Sequence, residues 1–246
     1  MPITKLFTEL QSYKDEDFEK LSINKPVLMI AMTARTGSTH LCSALSSIVD
    51  IHLPNEFFNP RGPILVNLRR RNVSNFHDYF KSIAQDPGGC LIFKTSWKDF
   101  SYFRSAYQLM FPDLYVLYLN RLDMEKQAVS LYKAKMSGLW HDAGANKSTP
   151  KEKFDEDFDI KAINNCMLDL EKEKALWESF FVAEGLDPLR LYYEDFEHDV
   201  ENTVNYILQF LGIDNNKKVI SKYNKVSDEI NEKWLRKLKE YRSVKL

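Results

Sequence analysis

Little in this 246-residue sequence points to cross-links, metal cages or membranes. Its three cysteines, Cys42, Cys90 and Cys166, lie far apart with no Cys-x-x-Cys and no Cys/His spacing. That argues against a disulfide framework or a zinc site and fits a reduced compartment. The formal net charge is −1, which speaks against coating nucleic acid or a membrane surface, while a local basic cleft stays open. No run approaches the roughly 18 apolar residues of a membrane span, and the first ten residues lack a basic-then-apolar leader. The expectation is a cytoplasmic protein without a nucleic-acid partner. Also missing is the ATP-binding signature G-x-x-x-x-G-K-[ST]: Gly37 is followed by Ser38, with no lysine and no upstream glycine.

What is present is an alternation of apolar strands and helical patterns, without internal repeats. Strands are expected at Val27–Met32, Cys90–Lys94, Leu114–Leu119 and Leu189–Tyr193. Helices are expected at about Ser38–Val49, Leu65–Arg71, Phe76–Ala84, Asp123–Met136, 160–183, Asp199–Leu211 and 227–243, the last with Ser227 as N-cap. Residues 1–24 read as a peripheral segment and 142–158 as a mobile loop. Short apolar strands separated by helices mean an α/β fold: one domain over 1–246, with a central, mostly parallel sheet covered on both faces. Ligands in such sheets bind at the carboxyl ends of the strands.

Two such ends carry anion chemistry. After the first strand comes Thr33-Ala-Arg-Thr-Gly-Ser-Thr39, a turn that opens directly into a helix. A helix N-terminus offers unpaired N–H groups and a favourable dipole. Arg35 adds a forked cation, and Thr36, Ser38 and Thr39 add hydroxyls. The bland alternative is an ordinary turn capped by Thr36. The third strand ends at Asn120-Arg121, and Ser130 lies on the helix behind it, so the two could grip a second anion from two sides.

In combination with Leu191-Tyr-Tyr-Glu-Asp-Phe196 and Asn202…Gly212-Ile213, these segments resemble the PAPS-dependent sulfotransferases. The Stf-zero (trehalose 2-sulfotransferase-like) subgroup is the nearest in pattern. It is marked by Asn55-Glu-Phe-Phe58, the nine positions from Arg121 to Ser130, Gln127-Ala-Val-Ser130 leading to Gly138-Leu-Trp140, and Ser227-Asp-Glu with Trp234. The resemblance implies a P-loop-like sulfotransferase fold and transfer of a sulfuryl group from PAPS to a hydroxyl of a carbohydrate or glycolipid, releasing PAP. It makes Arg35, Thr36, Gly37, Ser38 and Thr39 the 5′-phosphosulfate loop, and Arg121 and Ser130 the 3′-phosphate ligands. Tyr193 would stand near the adenine, and Lys225 would reach the 3′-phosphate. A homodimer is compatible with the same resemblance.

Sulfuryl transfer, like phosphoryl transfer, depends on positioning and charge stabilisation. Sulfate's lower charge removes the need for a bridging metal, and no compact Asp/Glu/His set suggests one. Lys94, at the end of the second strand, suits the sulfuryl or leaving-group oxygens, and Arg35 joins it as a catalytic candidate. Relatives with Phe-Lys-Thr-His place a histidine base where this chain has Ser96. The subgroup instead implies Glu56 as the base, strengthened by burial beside Phe57 and Phe58. His52 and His141 are weaker candidates. Two departures stand out: the Arg-Lys-Gly tail of cytosolic relatives is missing, and His40 replaces an adenine-packing aromatic. For the acceptor, Arg61, Arg69, Arg70 and Arg71 could steer an anionic glycan or face solvent, and Trp97 and Trp140 could stack on a sugar or belong to the core. Rival classes are a P-loop kinase-like ATP-dependent phosphotransferase, which would need a lysine not found here, and a non-catalytic nucleotide- or glycan-binding module.

Overall fold

The structure, a computed structural model, describes residues 25–48, 56–59, 68, 70–73, 75–85, 88–138, 140, 157–220 and 229–243. The N-terminal segment 1–24, most of the 142–158 loop and the Ser227 cap lie outside the described residues.

Four strands, β1 (Val27–Met32), β2 (Leu91–Ser96), β3 (Leu114–Asn120) and β4 (Leu189–Tyr192), form a parallel sheet of order β2-β1-β3-β4. Among the described residues the helices are α1 (Ser38–Leu45), α2 (Phe76–Ala84), α3 (Trp97–Phe100), α4 (Tyr107–Met110), α5 (Met124–Ser137), α6 (Ile160–Ala183), α7 (Tyr193–His198), α8 (Val200–Phe210) and α9 (Glu229–Ser243).

All six residues of β1 are buried, as a strand covered on both faces requires. Its alternate side chains feed two different cores. Val27, Met29 and Ala31 face a cluster rich in aromatics, including Phe58, Phe93, Phe100, Phe111, Trp177 and Phe180. Leu28, Ile30 and Met32 meet Leu41 and Leu45 of α1 and Val204, Ile207 and Leu208 of α8. A third cluster joins α5, α6 and α9 through Val129, Tyr132, Ile163, Leu170, Trp234 and Leu238. Arg242 of α9 also pairs with Glu125 of α5.

Most of the helix expected at Leu65–Arg71 lies outside the described residues, while the other expected strands and helices are present, some with shifted ends that have physical causes. Helix α1 stops at Leu45 instead of running to Val49. The Ser46 and Ser47 hydroxyls donate to the carbonyls of Ser43 and Ala44, closing the last turn from within. Strand β2 continues past Lys94 because Thr95 and Ser96 pair with Ala31 and Met32. Tyr193 opens α7 and is not the last residue of β4. Short helices α3 and α4 fall where no helix is expected.

The chain leaves β1 toward β2 on one side and reaches β3 on the other. The crevice at this switch point, outside the carboxyl ends of β1 and β3, is where such sheets bind ligands.

Candidate active site

The loop after β1 is held by its neighbours in an unusual shape. Arg35 and Gly37 both have positive φ, 66° and 76°. A Cβ on Gly37 would lie 2.5 Å from Tyr193 Cδ2, so only glycine lets the backbone pass the Tyr193 ring. Thr36 does not cap the helix. Its hydroxyl, wholly buried, donates back to the Thr33 carbonyl at 3.1 Å. Gly37 is the N-cap, and no side chain caps α1. A helix start without a side-chain cap is the arrangement that favours an anion.

Gln127 of α5, buried without exposure, braces this loop. Its Nε2 donates to Thr33 Oγ1 at 2.9 Å and to the Ala34 carbonyl at 2.7 Å. Its Oε1 has no hydrogen-bond partner among the described residues.

Three expected anion ligands come together here, though in a different pattern from two jaws of one grip. Arg35 Nε donates to Ser130 Oγ at 2.9 Å, and Arg35 Nη1 donates to the Trp140 carbonyl at 2.6 Å. Arg121 Nη1 donates to the Arg35 carbonyl at 3.1 Å, and its guanidinium lies 4.5 Å over the Tyr193 ring. Arg121 Nε is buried without a hydrogen-bond partner; Glu194 Oε1 stands 3.9 Å away. Burial, and then the charge of Arg121, pulls the Arg35 guanidinium below its usual range. Burial and then Arg35 do the same to the Lys133 ammonium, a cation of α5 that the sequence pattern does not single out. Cations crowded together this way favour an anion among them. The Tyr193 phenol is pushed up to about 12, chiefly by burial and then by Glu197.

Glu194 serves the backbone. Its carboxylate accepts from the N–H groups of Leu122 and Asp123 at 2.9 and 3.1 Å, holding the turn that carries Arg121. Asp123 caps α5 through the Lys126 N–H, as its position suggests.

A second cluster forms beside the loop. Lys94, only 5% exposed, donates from Nζ to Thr39 Oγ1 at 2.8 Å and lies 3.4 Å from Glu56 Oε1. Asn59 Nδ2 donates to the other Glu56 oxygen. Glu56, partly buried, and Lys94, buried, are distant in sequence and thus form one pair linked to the loop after β1. Asn59, three residues after Glu56, is the partner that sequence reasoning missed.

The remaining candidates have various surroundings. Trp97 packs edge-on against Trp177 and Phe180 and belongs to the core. Trp140 is exposed and contributes its carbonyl to Arg35. Arg71 donates to the Ser82 carbonyl, bracing α2. The His40 ring meets the edge of Phe196. Lys225, His52, His141, Arg61 and Arg69 lie outside the described residues. An open cleft of about 830 Å³ at the end of α8, lined by Glu201, Asn205, Gln209, Asp214 and Asn215, shares no residue with these clusters. No helix among the described residues is long and apolar enough to cross a membrane.

The family model of the Stf0 sulphotransferases matches residues 98–241, more than half of the chain. The chain belongs to the Stf0 sulphotransferase family. It is thus a sulfotransferase-family enzyme, and the matched span carries Arg121, Ser130 and Tyr193. The loop at 33–39, Glu56 and Lys94 precede that span. A sulfotransferase from Alicyclobacillus acidocaldarius has the same fold, with a TM-score of 0.51 at 17% identity over 89% of this chain and 93% of its own. A sulfotransferase from Mycobacterium avium aligns at 12% identity over 96% of this chain and 72% of its own, with a TM-score of 0.49. A search among curated proteins finds no match.

Proposed function

We propose that this Stf0 enzyme takes PAPS as its sulfuryl donor and a hydroxyl of a carbohydrate or glycolipid as its acceptor, releasing PAP. The observation that carries the proposal is the grouping of Arg35, Ser130 and Arg121 beside α1: Arg35 donates to Ser130 and Arg121 to the Arg35 carbonyl, two residues before an N-cap, Gly37, that offers no side-chain bond. Arg121 Nε, which makes no hydrogen bond among the described residues, fits a phosphate oxygen, and the start of α1, without a side-chain cap, fits a 5′-phosphosulfate. In this reading Arg35, Thr36, Gly37, Ser38 and Thr39 hold the 5′ end. Arg121 and Ser130 hold the 3′-phosphate, the Arg35–Ser130 bond joins the two halves, and the Tyr193 ring flanks the nucleotide.

PAPS, when bound, supplies the electrophilic sulfuryl group. Glu56 accepts the proton of the attacking hydroxyl. Lys94, steered by Thr39, donates to the phosphate oxygen on which negative charge grows as the bridging bond breaks.

The test is a thermal shift with PAP, ADP and ATP, each with and without Mg²⁺. PAP at a hundred times its Kd should stabilise the fold by about 2.7 kcal/mol without metal. A shift by Mg-ATP with PAP silent overturns the donor assignment. With PAP established, Glu56→Gln and Lys94→Ala should each abolish most sulfuryl transfer to an acceptor found by screening sugars and glycolipids. Unchanged turnover in both variants refutes their roles.

A further inference from the structure

We infer that one turn of α6, Glu173 to Trp177, is a positioning device that sets the ends of three strands relative to one another and so fixes the spacing of the transfer site. Its residues reach the carboxyl end of every strand that delivers a candidate site residue from the first three strands. Glu173 Oε1 accepts the Trp97 N–H at 2.7 Å, just beyond β2 and three residues after Lys94. Lys174 Nζ donates to the Arg121 carbonyl at 3.0 Å, just beyond β3. Trp177 Nε1 donates to the Met32 carbonyl at 3.3 Å, where β1 gives way to the anion loop.

A parallel ladder stops at these points, and the backbone groups beyond it need other partners. Side chains from a single helical turn supply them. The donor and acceptor atoms are held at separations set by the helix and not by three independent loops. The support is well anchored: α6 runs for 24 residues, and Trp177 is fully buried between Phe100 and Phe181. Lys174 is itself half-buried, and burial lowers its pKa against the opposing pull of Glu194 and Glu171. Glu194 holds the next two N–H groups of the Arg121 turn, so Lys174 and Glu194 fix three successive backbone groups. None of the three α6 residues needs to touch a substrate.

The inference rests on the PAPS reading for what each half of the site binds, and the test separates the two. PAP and 5′-AMP differ by the 3′-phosphate that Arg121 is proposed to hold. Lys174→Met should raise the Kd of PAP about tenfold, the scale of lost support behind a ligand-holding group, while leaving that of 5′-AMP within about twofold. Lys174→Arg, which keeps a donor, should recover much of the preference. Trp177→Phe moves the loop that both nucleotides share and should weaken the two in parallel. Glu173→Ala should speed hydrogen exchange at the Trp97 amide, and Glu173→Gln, which keeps the accepting oxygen, should restore protection. A Lys174→Met protein that binds PAP unchanged, or that loses PAP and 5′-AMP equally, overturns the positioning role. If the wild-type protein shows no preference for PAP, the donor reading fails instead. Amide exchange at Trp97, Leu122 and Asp123 in the same variants then still decides whether α6 holds the strand ends: unchanged exchange refutes it.

Discussion

Gly37→Ala probes the loop most directly, because two separate costs can be worked out for it. The backbone there has φ 76°, a conformation that costs a residue with a Cβ about 1–2 kcal/mol. The new methyl would also meet Tyr193 Cδ2 at 2.5 Å, Tyr193 Cε2 at 2.8 Å and Phe196 Cζ at 2.9 Å. Overpacking of this kind typically costs a further 1–3 kcal/mol or so. The sum is a loss of about 2–5 kcal/mol, a large share of the stability of an ordinary domain. Displacing the Tyr193 ring would also disturb its stacking under Arg121, at 4.5 Å. Urea unfolding of a double-mutant cycle with Tyr193→Ala separates the terms. Removing the ring abolishes two of the three close contacts but leaves the φ cost. In the Tyr193→Ala background, Gly37→Ala should therefore destabilise by at least about 1 kcal/mol less than in the wild type. Strict additivity of the two substitutions would refute the clash and leave only backbone strain.

Two further predictions follow from buried groups. Gln127→Leu removes both bonds to the anion loop and leaves the Ala34 carbonyl bare, so it should cost about 1–3 kcal/mol in denaturant unfolding and weaken PAP binding; an unchanged melt and unchanged affinity would dismiss the brace. The Cys42 thiol is pushed up to about 11 from 9.0, chiefly by burial with Lys94 opposing. The folded state thus holds this proton more tightly than the unfolded chain does, and stability present below pH 9 is lost as pH rises toward 11, on the order of 3 kcal/mol for this group. The urea midpoint should fall over that window and fall less in Cys42→Ala; equal falls would show that other groups set the alkaline limit.

The parts of the site legible in the sequence are those whose chemistry is local. A strand, a hydroxyl-rich turn and a helix start are written in consecutive residues, as is the nine-position step from Arg121 to Ser130. The same holds for the sheet, since each apolar run is short and continuous. What could not be read is how side chains choose among partners of similar chemistry. Thr36 looks like a cap, yet its hydroxyl turns inward to Thr33 because Gly37 takes the N-cap position. Arg35 looks like a free ligand for an anion, yet it spans to Ser130 and to the Trp140 carbonyl. Glu173 and Lys174 look like any charged pair on a long helix. Only the packing of α6 across the strand ends turns them toward backbone groups. Helices α3 and α4 were hidden for a related reason: at four residues each, they are too short to display a helical period.

The wiring of the anion loop also bears on how the chain acquires its shape during synthesis. Thr33 to Gly37 leave the ribosome well before the loop's supports do. Arg121 reaches the Arg35 carbonyl from 86 residues downstream, Gln127 reaches Thr33 from 94, and Trp177 reaches Met32 from 145. Contacts at such separations form slowly, since loop closure must precede any gain from them. Two residues at positive φ have little to hold them until those partners arrive. The loop is therefore made well before its supports and takes its final form only after them.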